Sequence, residues 1–261
     1  MARIKFLRKI IIDLRIAASF ATILPFGPSR AVDGGEVARA TWATPVAGLL
    51  VGLIGAAIYS IASGLGLAPG PSAILALAAT ILVTGALHED GLADTADGLG
   101  GGRTRERKLD IMRDSRIGTY GTCALLVSFS LRWSALAATA DPWAIATALP
   151  VAHAASRAGV PLFMWLVPPA RSDGLSAAAG RPPGRCVAIA LGLGALCLVF
   201  GLGPSKAMIG LILLSLAGLI MGRVAARQIG GQTGDILGAL QQINEIAILL
   251  LATALQPGLR P

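Results

Sequence analysis

Residues 43–65 read ATPVAGLLVGLIGAAIYSIASGL and contain no charged side chain. A helix needs about 20 predominantly apolar residues to cross the hydrocarbon core of a bilayer, and this run is long enough. Further apolar runs of similar length follow it along the chain. They predict seven membrane-spanning helices, at residues 43–65, 72–88, 119–139, 143–167, 186–203, 207–226 and 236–255.

The overall composition supports the same fold class. The chain has 261 residues, 54% of them hydrophobic, and a mean hydropathy of +0.72, which is too high for a soluble domain. Open sheets would leave unpaired amides in lipid, so we predict an all-α, polytopic membrane helical bundle forming one domain over residues 1–261. The 33 glycines suit closely packed membrane helices. The three cysteines show neither a metal-binding spacing nor a disulfide pattern, and we expect them to be reduced.

The basic charge gives an orientation. The net charge is +8, with 22 lysines and arginines. If the loop at 88–118 is cytoplasmic and the spans alternate, eighteen of these cations lie in cytoplasmic segments and two outside. We therefore interpret the basic excess as the positive-inside signal and expect no nucleic-acid partner. The other two cations lie within spans, and Arg132, beside Trp133, is expected to extend toward the outer interface.

The N-terminal apolar stretch at 10–27 is not predicted to be a full span. Asp13 and Arg15 interrupt it, and Pro25 and Pro28 close it. We expect an interfacial or re-entrant amphipathic helix, with the N-terminus cytoplasmic and the C-terminus outside. A cleaved signal peptide is not expected, because no small-residue cleavage site follows a compact apolar core.

The most polar segment is residues 88–121, which hold seven carboxylates and seven cationic side chains, counting histidine. Asp90, Asp94 and Asp97 follow at i, i+4 and i+7, within about 60° of one helix face. Aligned like charges repel each other, so we expect a divalent cation and a phosphate-bearing substrate there. Glu89 is rotated by about 100° from Asp90 and ranks below the three aspartates. The alternative is a solvated helix end whose acids pair with nearby arginines.

Glycines and cations follow the aspartates. Residues 98–102 include four glycines, which predict the end of the helix. The arginines at 103–107 suit either phosphate groups or lipid headgroups. Farther on, Asp110 and Asp114 stand four residues apart, and Arg113 and Arg116 three apart. This spacing fits intrahelical ion pairs, and it fits a phosphate clamp with a general base equally well.

A second polar cluster opens the last predicted span, where residues 230–239 read GGQTGDILGA. Asp235, Gly238, Gln242 and Glu245 lie within about 80° of one helical face. Ionisable groups inside a membrane are costly and indicate a functional site, with partners in the bundle interior. The alternative is a hydrogen-bond network between helices.

Two further polar residues fall near the middle of the fourth predicted span. Arg157 needs a partner there, and Glu245 or a substrate phosphate would serve. His153 stands four residues before it and is expected to be a packing residue.

Three separated motifs in this chain resemble the cobalamin synthase (CobS) family: HEDGLADTADG at 88–98, IMRDSRIG at 111–118 and GGQTGDILGA at 230–239. The resemblance extends along most of the chain and includes Phe20 to Pro25, PVAGLLVG at 45–52, and Ser156-Arg157. It implies a multi-pass enzyme of the bacterial cytoplasmic (inner) membrane that needs a divalent cation, usually Mg²⁺. The implied activity joins α-ribazole or its 5′-phosphate to adenosylcobinamide-GDP, releasing GMP and giving adenosylcobalamin or its 5′-phosphate.

We assign site residues as a hypothesis. The metal ligands are Asp90, Asp94 and Asp97, with Glu89 ranked last. The substrate-binding residues are Arg113, Ser115, Arg116, Arg157, Gly231, Thr233, Gly234 and Asp235. The general base is Asp114 or His88. Besides its substrates the only expected partner is the lipid bilayer, and a homo-oligomer is left open.

Two other functions were considered. A CDP-alcohol phosphotransferase is the nearer one, since Asp94 to Gly98 fit the opening of that family's Asp-x-x-Asp-Gly-x-x-Ala-Arg pattern. Gly101 and Gly102 replace its Ala-Arg, however, which indicates similar chemistry without membership. A transporter is less consistent, because the chain shows no internal repeat and its charge is concentrated at the predicted cytoplasmic surface.

Overall fold

The computed structural model describes residues 2–28 and 30–254, and this part of the chain is built from α-helices. In chain order they are α1 (Ala2–Ala21), α2 (Gly34–Ala40), α3 (Thr44–Gly64), α4 (Pro69–Thr84), α5 (Leu87–Gly101), α6 (Arg105–Ile111), α7 (Thr119–Thr139), α8 (Pro142–Ala158), α9 (Val160–Leu166), α10 (Leu175–Ala179), α11 (Gly184–Leu202), α12 (Pro204–Ile229) and α13 (Gly234–Ala254). A 3₁₀ turn at Thr41–Ala43 joins α2 to α3. The described residues form no β-strand, only an isolated bridge between Pro169 and Gln232.

The all-α membrane bundle is confirmed, and a helix occupies each of the seven predicted ranges. Within the described residues, five helical segments are long and apolar enough to cross a membrane, namely α2 with α3, α7, α11, α12 and α13. A sixth is formed if α4 and α5 count as one bent span. The predicted span at 143–167 is two helices in the structure, because the chain breaks at Gly159 between α8 and α9.

A sharp bend separates α4 from α5. Gly85 and Ala86 both adopt left-handed backbone angles, with φ of 61° and 57°, and the two helices differ in direction by 87°. Since α4 is apolar and α5 carries four carboxylates, we place α4 in the membrane and α5 outside the span, at the membrane surface.

The centre of the bundle is formed by α3, α8 and α13. Glycines allow α3 to approach α8: a Cβ at Gly48 would lie 2.2 Å from the His153 carbonyl oxygen, and one at Gly52 2.4 Å from the Pro150 Cα. In the apolar window of α13, 67% of the residues are buried. The expectation that glycines serve close helix packing is therefore confirmed at these positions.

The N-terminal helix α1 is not among the candidate spans found in the described residues. Asp13, which interrupts its apolar sequence, is buried and accepts hydrogen bonds from the Arg39 guanidinium and from Trp42 Nε1, both at 3.1 Å. These bonds hold α1 against α2 and the 3₁₀ turn that leads into α3. The end of the predicted last span, at 255, and the predicted exterior C-terminus lie outside the described residues.

Candidate active site

The three predicted aspartates lie on one helix, α5, as their spacing indicated. Their environments differ along that helix. Asp90 is exposed, Asp94 is partly buried, and Asp97 is buried. The helix ends at Gly101, within the predicted glycine run, and the backbone N–H of Gly102 donates to the Gly98 carbonyl. The stripe therefore leads from solvent into the protein.

Negative charge accumulates around Asp94. Burial, together with the charges of Asp90, Asp235 and Asp97, raises the pKa of the Asp94 carboxyl to about 7. A carboxylate in this position is costly to ionise without a nearby cation. The centre of the stripe is thus the part of the site best suited to a positively charged ligand.

Asp97 has a different set of partners. Its Oδ2 accepts from the backbone N–H of Gly118 at 2.7 Å, and its Oδ1 accepts from that of Gly121 at 2.9 Å. A Cβ at either glycine would lie 2.4 Å from an oxygen of this carboxylate. Asp97 therefore caps the first turn of α7 and ties it to α5.

Glu89 lies on the opposite side of α5, toward the bundle interior. Its Oε1 accepts from Arg132 Nη1 at 2.9 Å and from Gln242 Nε2 at 3.2 Å. The Arg132 side chain is 2% exposed and also lies 3.3 Å from Glu245. The expectation that Arg132 extends to the outer interface is wrong, because two buried carboxylates compensate its charge inside the bundle.

Glu245 is the centre of a buried polar network. It is fully buried, and its Oε2 lies 3.0 Å from His153 Nδ1 and 3.9 Å from Arg157 Nη1. Gln241 donates to the same oxygen at 2.7 Å. The intramembrane polar residues of the last span thus form hydrogen bonds and ion pairs between helices, with Arg132, Arg157 and His153 as partners.

Two predicted site residues face this network. Arg157 is buried and donates to the His153 carbonyl at 3.0 Å, and its Nη2 lies 3.5 Å from His88 Nδ1. Neither side chain is aligned with the aspartate stripe. Some buried atoms of the network have no hydrogen-bond partner among the described residues, including Arg157 Nε and Glu89 Oε2.

The second wall of the site is the start of α13. A Cβ at Gly91 on α5 would lie 2.9 Å from the Asp235 carbonyl oxygen, and one at Gly238 would lie 3.3 Å from the Gly91 Cα. This close packing of two glycines brings Asp235 against the aspartates. Thr233 Oγ1 donates to Asp235 Oδ2 at 3.1 Å and accepts from the Ile236 N–H at 3.3 Å.

The connection between α9 and α10 packs on the same turn. Ala170 N–H donates to the Gln232 carbonyl and Gln232 N–H to the Pro168 carbonyl, both at 2.8 Å. Arg105 donates to the carbonyls of Ile229, at 2.8 Å, and Ala170, at 2.6 Å. These bonds fix the 168–173 loop next to the Gly230–Gly234 turn. In that turn, Gly231 has no room for a side chain, because a Cβ would lie 2.2 Å from the Pro168 carbonyl oxygen.

Arg171, in this loop, was missed by the sequence analysis. Its Nη2 lies 3.7 Å from Asp235 Oδ2 and its Nε lies 3.8 Å from Asp173 Oδ1. Its Nη1 is buried and has no hydrogen-bond partner within the described part of the chain. The guanidinium therefore stands at the edge of the carboxylate group with donor capacity left over. No periodic pattern surrounds it, so the sequence offered little signal beyond its charge.

The segment at 110–116 does not form the predicted helical pairs, because α6 ends at Ile111. Instead, Arg113 pairs with Asp173 and Arg116 with Asp114, both at 2.7 Å on the surface, with exposed Ser115 between them. The hydrogen bonds from Arg116 lower the pKa of Asp114 to about 2. A carboxylate with so low a pKa is a weak base, which argues against Asp114 as the general base.

Comparison with known proteins identifies the family. The sequence model of CobS, described as cobalamin-5-phosphate synthase, matches residues 13–253. The chain belongs to the CobS family. It is 70% identical to the adenosylcobinamide-GDP ribazoletransferase of Bradyrhizobium diazoefficiens, with 97% of each chain covered. It is 52% identical to the enzyme of that name from Mesorhizobium japonicum, with 94% of each covered. No solved structure matches the chain.

Within this CobS-family site, the described residues contain no cluster of three or more acidic, histidine or cysteine side chains arranged to hold a metal. Asp97 and Glu89 are engaged by other partners. Asp90 and Asp94 remain, and Asp235, which accepts a hydrogen bond from Thr233, contributes its charge beside them. Mg²⁺ is often bound by one or two carboxylates, with water and substrate phosphates completing its ligands. The remaining aspartates fit that kind of site.

Proposed function

We propose that this CobS-family chain is an adenosylcobinamide-GDP ribazoletransferase. It transfers adenosylcobinamide phosphate to α-ribazole or α-ribazole 5′-phosphate and releases GMP. The observation that carries the proposal is the 70% identity, over 97% of both chains, to a relative of that name. The carboxylate-lined and arginine-lined site at one end of a membrane bundle supports it chemically.

The reaction is a substitution at phosphorus. A ribazole hydroxyl forms a bond to the cobinamide-linked phosphorus of the pyrophosphate, the bond to the GMP oxygen breaks, and the hydroxyl proton leaves. Asp94, with Asp90 or Asp235 beside it, would hold Mg²⁺ through one or two carboxylates, and water and phosphate oxygens would complete the ligands. When bound, Mg²⁺ would neutralise charge on the pyrophosphate oxygens. The chain's own contribution is to keep these carboxylates in place through the contact between Gly91 and Gly238.

Arginines at the rim would position the pyrophosphate. The buried Nη1 of Arg171 has no hydrogen-bond partner among the described residues, its Nη2 lies 3.7 Å from Asp235 Oδ2, and Arg113 pairs with Asp173 on the surface. Exposed ion pairs contribute little free energy, so a phosphate can replace the aspartate as the partner of Arg113. Arg157, in contrast, would act through the buried network beneath α5 and not by contact with phosphate.

Of the two bases predicted from the sequence, we retain His88, whose ring faces Arg157 and the buried network beneath the aspartate stripe. Asp114 is weakened as a base by Arg116. The Nδ1 of His88 lies 3.5 Å from Arg157 Nη2, and burial together with the charge of Arg157 lowers the pKa of this histidine well below its usual value. Transfer between phosphates passes through a loose transition state in most analyses, so a modest base is sufficient.

We also propose that the site faces the cytoplasm from the bacterial inner membrane. The positive-inside distribution supports this orientation, since the eighteen predicted cytoplasmic cations include those that surround the site. In this orientation the enzyme would bind its nucleotide substrate on the cytoplasmic side, where nucleotides are made.

The test is release of labelled GMP from adenosylcobinamide-GDP by the purified full chain in detergent or nanodiscs. Release should require both α-ribazole, or its 5′-phosphate, and Mg²⁺. A folded protein that releases no GMP with either acceptor would overturn the proposal. Release of CMP from a CDP-alcohol by the same preparation would point to the phosphotransferase alternative.

A further inference from the structure

A long apolar groove lies on the lipid-facing side of the bundle, away from the aspartates. Helix α12 is the least buried candidate span, with 11% of its apolar window buried. Between α12 and its neighbours α8, α9, α11 and α13 is a cavity of about 460 Å³. Exposed leucines on three of these helices line it and show that it opens toward lipid: Leu166, Leu191, Leu211 and Leu219.

Small residues produce this groove. Gly159, Gly194, Gly218 and Gly222 all line it, and a Cβ at Gly218 would meet no atom within 4 Å. The lining on α12 extends from Leu211 to Ala226, or about 22 Å at the rise of an α-helix. One leaflet of the hydrocarbon core is only about 15 Å thick. The groove is therefore long enough for an acyl chain lying along α12.

Its lining also specifies an apolar occupant. Ser215, Asn244 and Arg223 are the polar side chains among the lining residues, and the others are apolar. Water gains few partners on such walls, and an empty groove would leave the lining atoms without dispersion contacts.

Two cations stand at the cytoplasmic end of the groove. Arg223 lines it, and Arg227 follows one helical turn later on the same side of α12. Both are exposed, and in the described ranges neither forms an ion pair. A guanidinium binds phosphate oxygens through paired hydrogen bonds, so this end of the groove is complementary to an anionic headgroup.

We propose that this groove binds one phospholipid, with an acyl chain along α12 and the phosphate at Arg223 and Arg227. The combination of a one-leaflet apolar groove with two unpaired arginines at its membrane-surface end favours a phospholipid over a second copy of the chain. The proposal is independent of the transferase activity.

The test uses the delipidated full chain, incubated with vesicles of phosphatidylcholine and phosphatidylglycerol and then analysed by native mass spectrometry. Gly218→Phe fills the groove. Gly192→Phe is its matched control, because a Cβ at Gly192 also meets no atom within 4 Å but the residue does not line the groove. Arg223→Gln removes the headgroup contact, and Arg185→Gln makes the same charge change at the exposed start of α11.

The wild type and Gly192→Phe should retain one phospholipid per chain, and Gly218→Phe should lose it. Arg223→Gln should lose the preference for phosphatidylglycerol over phosphatidylcholine, while Arg185→Gln should keep it. If Gly218→Phe is unfolded by size exclusion, Ser215→Leu takes its place. Retention by the groove-filling variant equal to that of its control overturns the proposal, as does a lipid-free dimer of the wild type.

Discussion

Arg132 on α7 donates to Glu89 on α5 across 2.9 Å, and the two side chains are 2% and 12% exposed. The same guanidinium reaches Glu245 on α13. One cation thus holds together the helix that carries the aspartates, the helix that Asp97 caps and the helix that supplies Asp235. The buried network therefore fixes the relative positions of the three helices that carry the surface site.

Removal of this cation is expected to destabilise the bundle. Arg132→Met leaves Glu89 without its cationic partner and removes one of the cations that pair with buried Glu245, and breaking a buried ion pair costs about 3–5 kcal/mol. The melting temperature in detergent and the yield of folded protein should both fall. Arg185→Met, at an exposed arginine, is the control and should behave like the wild type. Equal stability of the two variants would contradict the assigned role of Arg132.

Asp94→Asn is expected to abolish GMP release and leave membrane insertion intact. The amide keeps the shape of the side chain but removes the charge at the centre of the stripe, where a cation is best stabilised. Asp110→Asn makes the same change on exposed α6 and should retain activity. An active Asp94→Asn enzyme with the Mg²⁺ dependence of the wild type would contradict the assignment of Asp94 as a metal ligand.

Asp97→Asn should give a different defect. Loss of the charged cap on α7 is expected to cost about 1–2 kcal/mol, because the amide keeps one acceptor oxygen and places an NH2 donor against the second glycine N–H. Thermal unfolding should therefore begin at lower temperature, while the Mg²⁺ concentration for half-maximal activity stays near the wild-type value. A large rise in that concentration with unchanged stability would show that Asp97 is a metal ligand after all.

Gly91→Ala tests the contact between α5 and α13. The new methyl group would lie 2.9 Å from the Asp235 carbonyl oxygen, so the helices must separate. We expect GMP release to fall by at least about tenfold, since small misplacements of catalytic groups are costly. Gly192→Ala adds the same methyl group in open space and should be fully active. Comparable activity of both alanine variants would show that the close contact of Gly91 with α13 is not needed to position the site.

Arg171→Gln tests the phosphate-binding role that the structure adds. Loss of one charged hydrogen-bond donor corresponds to about 1.5–3 kcal/mol, or roughly 10- to 150-fold in affinity. The KM for adenosylcobinamide-GDP should rise by that amount, and the KM for α-ribazole should not change. Arg103→Gln, at an exposed arginine beyond α5, is the control. An equal rise in both KM values would indicate a general structural defect.

Hydropathy and periodicity along the sequence were sufficient to predict the helices and to place the three aspartates on one helix face. The apolar run predicted at 119–139 coincides with α7, Thr119–Thr139, because length and hydropathy determine where a chain can cross lipid. Periodicity likewise placed Asp90, Asp94 and Asp97 on a single helix. Asp235, which the sequence analysis assigned to substrate binding, lies close enough to add its charge to theirs.

Contacts between residues that are distant in the sequence could not be predicted from hydropathy and periodicity. Periodicity does not show that Asp97 meets the N–H groups of Gly118 and Gly121, since that contact depends on the path of the intervening loop. Hydropathy shows only that Arg132 is a charged residue within an apolar run. It does not show that Glu89 on α5 and Glu245 on α13 are its partners. Arg171 reaches the site because the bridge between Pro169 and Gln232 holds its loop there.

The bend at Gly85 and Ala86 has a consequence for the size of the substrate. Since α5 turns by 87° from α4, and since we place α4 across the membrane, the carboxylates of α5 follow the membrane surface. Under the proposed function, a bulky substrate can then present its pyrophosphate to Asp90 and Asp94 while the remainder stays in the aqueous phase. With the site at the membrane surface, the substrate would reach these carboxylates without entering the hydrocarbon core of the bilayer.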